Sequence, residues 1–221
     1  LRAENPEVMV FKNAVFELPE IRNFADPDQL TLFFGAINRS DDWAPLMPGL
    51  NEVARAVGKR LRFSVVHDKA FFDALETPHK IFTPMCAYSR YLNLLGQAEI
   101  AFMPLADNIF NRAKSDLKFI EASACRVISL ASDVAYGQSI IENKNGLVFR
   151  SSMELRAHLL RVLAYPEAAR KIADAARLYV MQERMLAYQT IERIAWYRSL
   201  WDRREALNTA LRARVPTLFT S

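Results

Sequence analysis

Residues 98–132 constrain the fold more than any other part of this chain, because they predict a strand, a polar loop, a helix and a second strand in direct succession. The two predicted strands are the apolar runs at 100–103 and 127–130, and the helix is predicted to begin near Ser115. A strand that leads through a loop and a helix to a neighbouring strand is the repeating unit of a parallel α/β sheet. Ligands of such sheets bind beyond the carboxyl ends of the strands, so this loop and helix start are the first candidates for function.

The same alternation of strands and helices continues on both sides of this stretch. Further strands are predicted at 30–36, 61–66, 79–82 and 147–149. A capping box of Ser151 and Glu154 predicts the start of one C-terminal helix. The complete set of predicted helices outside the central stretch is 45–57, 70–75, 88–95, 151–164, 166–184 and 188–211. The pattern predicts an α/β fold, namely a Rossmann-like doubly wound parallel sheet of about six strands with C-terminal helices.

The start of the central helix carries more positive charge than a helix start favours. Ser115 is the predicted N-cap, and Lys118 stands three residues later, where a capping box would have Glu or Gln. Lys114 comes directly before the cap. Because the amide groups of a helix N-terminus already form an anion site, additional lysines there favour a phosphate or diphosphate as the ligand.

Glu121 follows Lys118 by one turn and lies near the same helix face, where its carboxylate can accept hydrogen bonds from ribose hydroxyls. Leu117, Ile120 and Ala124 are predicted to point the other way and to pack on the sheet. The alternative is a solvated helix face on which Lys118 and Glu121 form an i,i+3 ion pair. The residues alone leave both interpretations open.

The run NRAKSDLKFIEASACRVISLAS, with NGLVF at 145–149, resembles the C-terminal, nucleotide-sugar-binding domain of retaining GT-B-fold glycosyltransferases of the group 1 type. The resemblance implies the donor-binding domain of an enzyme that moves a sugar from a nucleotide-diphosphate sugar to an acceptor, in polysaccharide or glycoconjugate synthesis. It implies no metal and no cofactor other than the donor substrate. The partners it implies are the nucleotide sugar and an N-terminal acceptor-binding domain of the same protein.

The resemblance also assigns residues and domains. Glu121 would bind the ribose, and the catalytic residues stay unidentified. The residues it places at the donor diphosphate are Lys114, Ser115, Lys118, Gly35 and Arg39. The implied domains are an inter-domain strand and linker segment at 1–28, the Rossmann-like nucleotide-sugar-binding domain at 29–150, and C-terminal helices packed on that same domain at 151–221.

The sequence departs from the family pattern in three places, one of which is the turn after the central helix, where Arg126 and Ile128 replace the usual Gly and Pro. Ala113 stands where many relatives have a glutamate that faces the donor sugar. Asp41 and Asp42 follow Arg39 in a loop where the family often carries an arginine and a lysine. Because the acceptor site and any catalytic groups of the implied N-terminal domain are not among these residues, we expect this chain by itself to be an incomplete, inactive fragment of the transferase. The alternatives are a non-catalytic nucleotide-binding or interaction module derived from a glycosyltransferase, and half of a nucleotide-sugar epimerase.

Composition narrows the function classes and the compartment. The net charge is +4, and residues 150–214 hold 13 Lys and Arg against 7 Asp and Glu. No clustered aromatics or reader motif accompany these arginines, so we expect no nucleic acid as partner, with peripheral membrane association as a minor alternative to a solvated surface. Cys86, Cys125 and three scattered histidines lack metal-ligand spacing, which predicts free thiols and no metal. Without a signal peptide or a spanning apolar run, we expect a cytoplasmic chain, with the inner membrane face as the alternative.

Overall fold

The computed structural model describes residues 5–22 and 28–218. Sequence predictions that fall on residues 1–4, 23–27 and 219–221 lie outside the described residues. The predicted strands are present as β1 Leu30–Gly35, β2 Leu61–Val66, β3 Lys80–Thr83, β4 Ile100–Met103, β5 Ile128–Ser132 and β6 Leu147–Phe149. All neighbouring pairs run parallel in one sheet of order β3-β2-β1-β4-β5-β6, which confirms the predicted Rossmann-like α/β fold.

Helices cover both faces of this sheet. They are α1 Ser40–Trp43, α2 Met47–Val57, α3 Lys69–Ala74, α4 Tyr88–Leu95, α5 Ile109–Arg112, α6 Leu117–Ala124, α7 Asp133–Tyr136, α8 Ser152–Ala164, α9 Pro166–Glu183, α10 Leu186–Asp202 and α11 Arg204–Arg214. Ser151 caps α8 as predicted, since its hydroxyl accepts the Glu154 N–H at 3.2 Å. Short 3-10 turns lie at Ala44–Leu46, Gly58–Arg60 and Pro216–Leu218.

The core consists of two apolar layers, one on each face of the sheet. The first layer joins the strands to α2, α3 and α8 around residues such as Phe34 and Phe71. The second joins them to α6 and α9 around Phe119 and Val180. Every residue of β4 and β5 is buried, as expected for central parallel strands that helices cover on both faces.

The start of α6 differs from the prediction by one residue. The N-cap is Asp116 and not Ser115, which is exposed. The Asp116 side chain makes no capping hydrogen bond, because Arg184 binds both of its oxygens. Ile120 and Ala124 are buried as predicted. Leu117 is 42% exposed, so its predicted packing on the sheet is wrong: at the first helical position it faces an open crevice.

The C-terminal and N-terminal segments also differ from the prediction. The helix predicted at 188–211 is two helices that break at Arg203, whose guanidinium forms two hydrogen bonds with Glu7, at 2.9 and 3.0 Å. Residues 5–22 contain no strand, and Val15 forms only an isolated bridge with Met185, at the junction of α9 and α10. No residue of α10 or α11 is buried. The division of the chain at residues 28 and 150 stays a prediction.

Candidate functional site

The carboxyl ends of β1 and β4 form a crevice where the strand order reverses. From β1 the chain first builds β2 and β3 on one side and then returns to build β4, β5 and β6 on the other. The loops after β1 and β4 therefore diverge, which is where ligands of doubly wound sheets bind. Three adjoining cavities of about 470, 280 and 750 Å³ lie along this edge of the sheet.

Lys118 spans the crevice between α6 and β1. Its ammonium donates a hydrogen bond to the Gly35 carbonyl oxygen at 2.6 Å. It does not pair with Glu121, so the i,i+3 ion pair considered above is not formed. Burial, together with the nearby Arg39 guanidinium, lowers the pKa of Lys118 to about 8. An ammonium held in so little water gains more from an arriving anion than an exposed lysine does.

Lys114 and Arg39 approach the same cavity from opposite loops. The Lys114 ammonium binds the Asn111 side-chain oxygen and lies 5.0 Å from the centre of the Phe110 ring, while the Arg39 guanidinium lies 5.7 Å from that ring. Burial and Arg39 lower the pKa of Lys114. With Ser115 and Lys118, these two residues line the cavity of about 280 Å³. Three cations thus converge on a space large enough for a small anion.

Glu121 lies one turn further into the crevice and is 6% exposed. Tyr88 donates its hydroxyl hydrogen bond to Glu121 Oε1 at 2.5 Å, which leaves Oε2 free of Tyr88. Burial raises the pKa of the Glu121 carboxyl, while the Tyr88 hydrogen bond and the Lys118 charge act in the opposite direction. Lys118 and Glu121 both line the cavity of about 470 Å³, so they face one space as the helical spacing predicts.

Two tyrosines form an aromatic wall of this cavity. The rings of Tyr88 and Tyr91 are stacked, with centroids 6.1 Å apart and an angle of 14° between their planes. Gly35 lies against this wall, since a Cβ there would come within 2.7 Å of the Tyr91 ring. The glycine therefore makes room for Tyr91 as well as for the Lys118 contact. Sequence reasoning missed both tyrosines, because nothing local marks α4 as part of the site.

In the sequence, Asp42 weakens the match of the Arg39 loop to an anion-binding loop. In the structure, Asp42 is part of the site. It is 6% exposed, and its Oδ1 accepts hydrogen bonds from the Ala106 N–H at 2.9 Å and the Asn111 amide at 2.7 Å. These bonds join the loop after β1 to the loop after β4. Its Oδ2 lies 3.5 Å from Arg39 but has no hydrogen-bond partner, and Asp42 lines both the 280 and the 750 Å³ cavities.

Asp68, the N-cap of α3, anchors the loop that carries Arg39 through hydrogen bonds of its side chain. Its Oδ2 accepts from the Trp43 indole N–H at 3.2 Å and from the Arg39 backbone N–H at 3.4 Å. Its Oδ1 accepts from the Phe71 N–H at 3.0 Å. Among the described residues, no group of three or more His, Cys, Asp and Glu side chains is arranged to hold a metal ion.

Residues 50–197 match a family model described as "Glycosyl transferase-like". The match spans more than half of the chain and contains both Lys118 and Glu121. The chain belongs to this glycosyl transferase-like family. No curated protein matches the sequence.

Solved structures of glycosyltransferases have the same fold as this family member. The C-terminal domain of a glycosyl transferase group 1 family protein (LpcC) from Francisella tularensis aligns with a TM-score of 0.55 and 16% identity, over 71% of this chain and 86% of that one. HepE from Anabaena, in complex with UDP and glucose, aligns at 0.60 and 14%, over 76% and 48%. Sucrose-phosphate synthase from Thermosynechococcus elongatus aligns at 0.59 and 16%, over 80% and 47%. The chain thus spans about half the length of the last two.

These likenesses confirm the predicted resemblance to the C-terminal domain of group 1 GT-B glycosyltransferases. The structure brings the six predicted site residues to one edge of the sheet, while their roles stay predictions. Ala113, one of the departures noted in the sequence, is an exposed residue at the C-cap of α5. In the described part of this transferase-like chain, no helix is both long and apolar enough to cross a membrane.

Proposed function

We propose that this chain is the donor-binding domain of a glycosyltransferase that uses a nucleotide-diphosphate sugar in polysaccharide or glycoconjugate synthesis. The observation that carries the proposal is the convergence of Arg39, Lys114 and Lys118 on one cavity at the switch point of the sheet. The buried carboxylate of Glu121 lies beside them in the next cavity. The acceptor and its binding domain would belong to the rest of a longer protein.

The arrangement suits the departure of a nucleoside diphosphate. As the glycosidic bond breaks, negative charge develops on the diphosphate, and fixed positive groups at that point lower the barrier. The α6 N-terminus adds its amide groups to the three side-chain cations. No metal or further cofactor is needed in this scheme. Glu121 Oε2 would accept a ribose hydroxyl, and the wall of Tyr88 and Tyr91 would face the nucleobase.

Thermal denaturation with a panel of nucleoside diphosphates, nucleosides and inorganic diphosphate tests this proposal. A ligand present at ~100 times its Kd should stabilise the chain by about 2.7 kcal/mol. For a chain of this size that is a rise in melting temperature of about 5–10 °C. We expect this rise with at least one nucleoside diphosphate and a smaller one with its nucleoside. A melting temperature that no diphosphate changes would reject donor binding.

The third cavity is the natural place for the sugar that follows the diphosphate. It adjoins the cation cavity through Asp42, Leu105 and Lys114, and it is the largest of the three at about 750 Å³. Asp42 Oδ2 has no hydrogen-bond partner but is buried 3.5 Å from Arg39, so it becomes an acceptor for a sugar hydroxyl only where the Arg39 guanidinium turns toward the diphosphate. In this role Asp42 would supply, from another loop, the carboxylate that Ala113 lacks.

Replacing Asp42 with asparagine should weaken the binding of the nucleotide sugar more than that of the matching nucleoside diphosphate. The amide oxygen can keep the bonds to Ala106 and Asn111, while the acceptor Oδ2 becomes a donor. We expect a specific loss of about 0.5–1.5 kcal/mol for the sugar nucleotide, measured by calorimetry. Asp107→Asn is the matched control, because Arg112 already binds both Asp107 oxygens at the rim of the same cavity. Equal losses for the two ligands would contradict the assignment.

The exposed Ala113 favours a second candidate, a non-catalytic nucleotide-binding module derived from a transferase. The two functions predict different contributions of the sugar to the binding affinity. A donor-binding domain holds the sugar in a defined place, so the Asp42→Asn effect depends on the sugar. A module that binds only the nucleoside diphosphate would show the same affinity with and without the sugar.

A further inference from the structure

Arg184 is the bulkiest of the fully buried side chains in the described residues, with 1% of its side chain exposed. It lies at the end of α9 and not in any of the three cavities described above. A buried guanidinium must have its charge paired and its N–H groups bonded, or the fold loses stability. The hydrogen-bond partners of Arg184 show which segments of the chain it connects.

Asp116, the N-cap of α6, is the ionic partner. Arg184 Nη1 donates to Asp116 Oδ2 at 2.7 Å and Nη2 donates to Oδ1 at 2.9 Å. The Ser139 hydroxyl also donates to Oδ2, at 2.5 Å. Asp116 stands between Lys114 and Lys118 in the chain, two residues from each. Arg184 is therefore bonded to the backbone segment from which both lysines project.

Arg184 Nη1 also donates to the Tyr179 hydroxyl on α9 at 2.9 Å, and the other partners of Arg184 connect it to the N-terminal segment and to the start of α10. Its Nε donates to the Asn13 carbonyl oxygen at 2.9 Å, and its own carbonyl accepts the Val15 N–H at 2.9 Å. The Leu186 N–H then donates to the Val15 carbonyl, also at 2.9 Å. Segment 13–15 and the junction 184–186 are therefore both bonded to Arg184. The side chain of Arg184 also binds Asp116 at the start of α6.

We propose that Arg184 is a positioning residue that couples these two segments to the grip of Lys114 and Lys118 on a diphosphate. The inference rests on the proposed function, because it concerns the same anion site. Arg184 makes no contact with the ligand. It sets the geometry of the α6 start through Asp116, so a shift of segment 13–15 or of the junction alters diphosphate affinity. Coupling between two sites is reciprocal, so a bound diphosphate in turn stabilises the hydrogen bonds that Val15 forms with Arg184 and Leu186.

Arg177 provides a matched control on the same helix pair. Its Nη2 donates to the Pro19 carbonyl oxygen at 2.9 Å, and its Nη1 donates to the carbonyl oxygen of Ala124. It therefore also ties the N-terminal segment to α6, but at the opposite end of that helix. A purely structural role for Arg184 predicts similar consequences for both arginines.

The test compares Arg184→Lys with Arg177→Met in calorimetric titrations with inorganic diphosphate, UDP and uridine. We expect Arg184→Lys, which keeps the charge but loses the two-pronged bond, to weaken diphosphate and UDP by about fivefold or more. Uridine affinity should not change, and Arg177→Met should leave all three affinities within about twofold. Unchanged diphosphate affinity in a folded Arg184→Lys chain would overturn the inference, as would an equal loss in Arg177→Met.

Hydrogen exchange of the wild-type chain gives a second measurement that needs no variant. Saturating diphosphate should slow exchange at the Val15 and Leu186 amides, and it should not change exchange at exposed amides of α11. If diphosphate binds and these two amides exchange as before, the coupling is absent. A wild-type chain that binds no diphosphate would instead overturn the proposed function and this inference with it, so the two failures are distinguishable.

Discussion

Replacing Lys118 with methionine should reduce the affinity for a nucleoside diphosphate by about 1.5–3 kcal/mol, on the order of ten- to a hundredfold. The expected loss is large because the ammonium is partly buried, lies between two neighbouring cavities and has only the Gly35 carbonyl as hydrogen-bond partner in the described structure. An anion that enters the crevice therefore meets a charge with little water around it. Methionine keeps the length and apolar volume of the side chain, so the packing of α6 should survive.

Calorimetry with a nucleoside diphosphate and its nucleoside separates charge from shape. The diphosphate should lose most of its affinity in the Lys118 variant, while the nucleoside should lose little. Lys171→Met, an exposed lysine on α9, makes the same charge change away from the crevice and should bind both ligands like the wild type. If the nucleoside loses as much affinity as the nucleoside diphosphate, Lys118 shapes the cavity and does not bind the anion.

The pH dependence of diphosphate binding tests the role of the Lys118 charge in the wild-type chain as well. Lys118 has a pKa of about 8, so its ammonium is present below pH 8 and is lost as pH rises above it. The diphosphate binds the charged form, so affinity should be full below this pKa and should fall above it by at most about tenfold per pH unit. The second phosphate ionisation lies near 6 and is complete in this range. Lys118→Met should show a much smaller fall between pH 8 and 9.5.

The part of this site that could be predicted is the part that is local in sequence. Lys118 and Glu121 lie one turn apart on α6, where helical spacing alone places them on one face, and Lys114 stands two residues before the N-cap of that helix. The strands around them could be predicted for a similar reason. Parallel strands buried on both faces are continuous apolar runs, as in β4.

The residues that sequence reasoning missed all act over long separations. Asp42 binds Asn111, 69 residues away, and Arg184 binds Asp116 and Asn13, 68 and 171 residues away. No periodicity or local motif carries such a pairing. In the sequence, Asp42 counted against an anion site because its charge has the wrong sign. In the fold that same charge anchors the loop that presents Arg39.

Replacing Phe71 with alanine should lower the free energy of unfolding by about 3–5 kcal/mol, the usual range for a fully buried phenylalanine. Its ring is completely buried beneath the site, with the Phe34 ring centroid at 4.0 Å, the Trp43 ring edge-on at 5.4 Å and Phe102 at 6.2 Å. The substitution would leave a cavity whose aromatic walls cannot collapse without moving the strands. Denaturation in urea measures the loss, and the exposed Phe16→Ala should cost no more than about 0.5 kcal/mol.

The same variant tests whether the anion site depends on the aromatic cluster beneath it. The Trp43 indole donates to Asp68, and Asp68 also accepts the backbone N–H groups of Phe71 and Arg39. The Phe71 ring packs edge-on against the Trp43 indole, so its loss should loosen that indole and with it the Arg39 loop, and should weaken diphosphate binding modestly even where the chain is still folded. Lys118 and Glu121 project from α6, which packs in the other core layer, so nucleoside binding should be spared. A stability loss below about 1.5 kcal/mol would mean that the cluster repacks around the gap, and the Arg39 loop would then need another support.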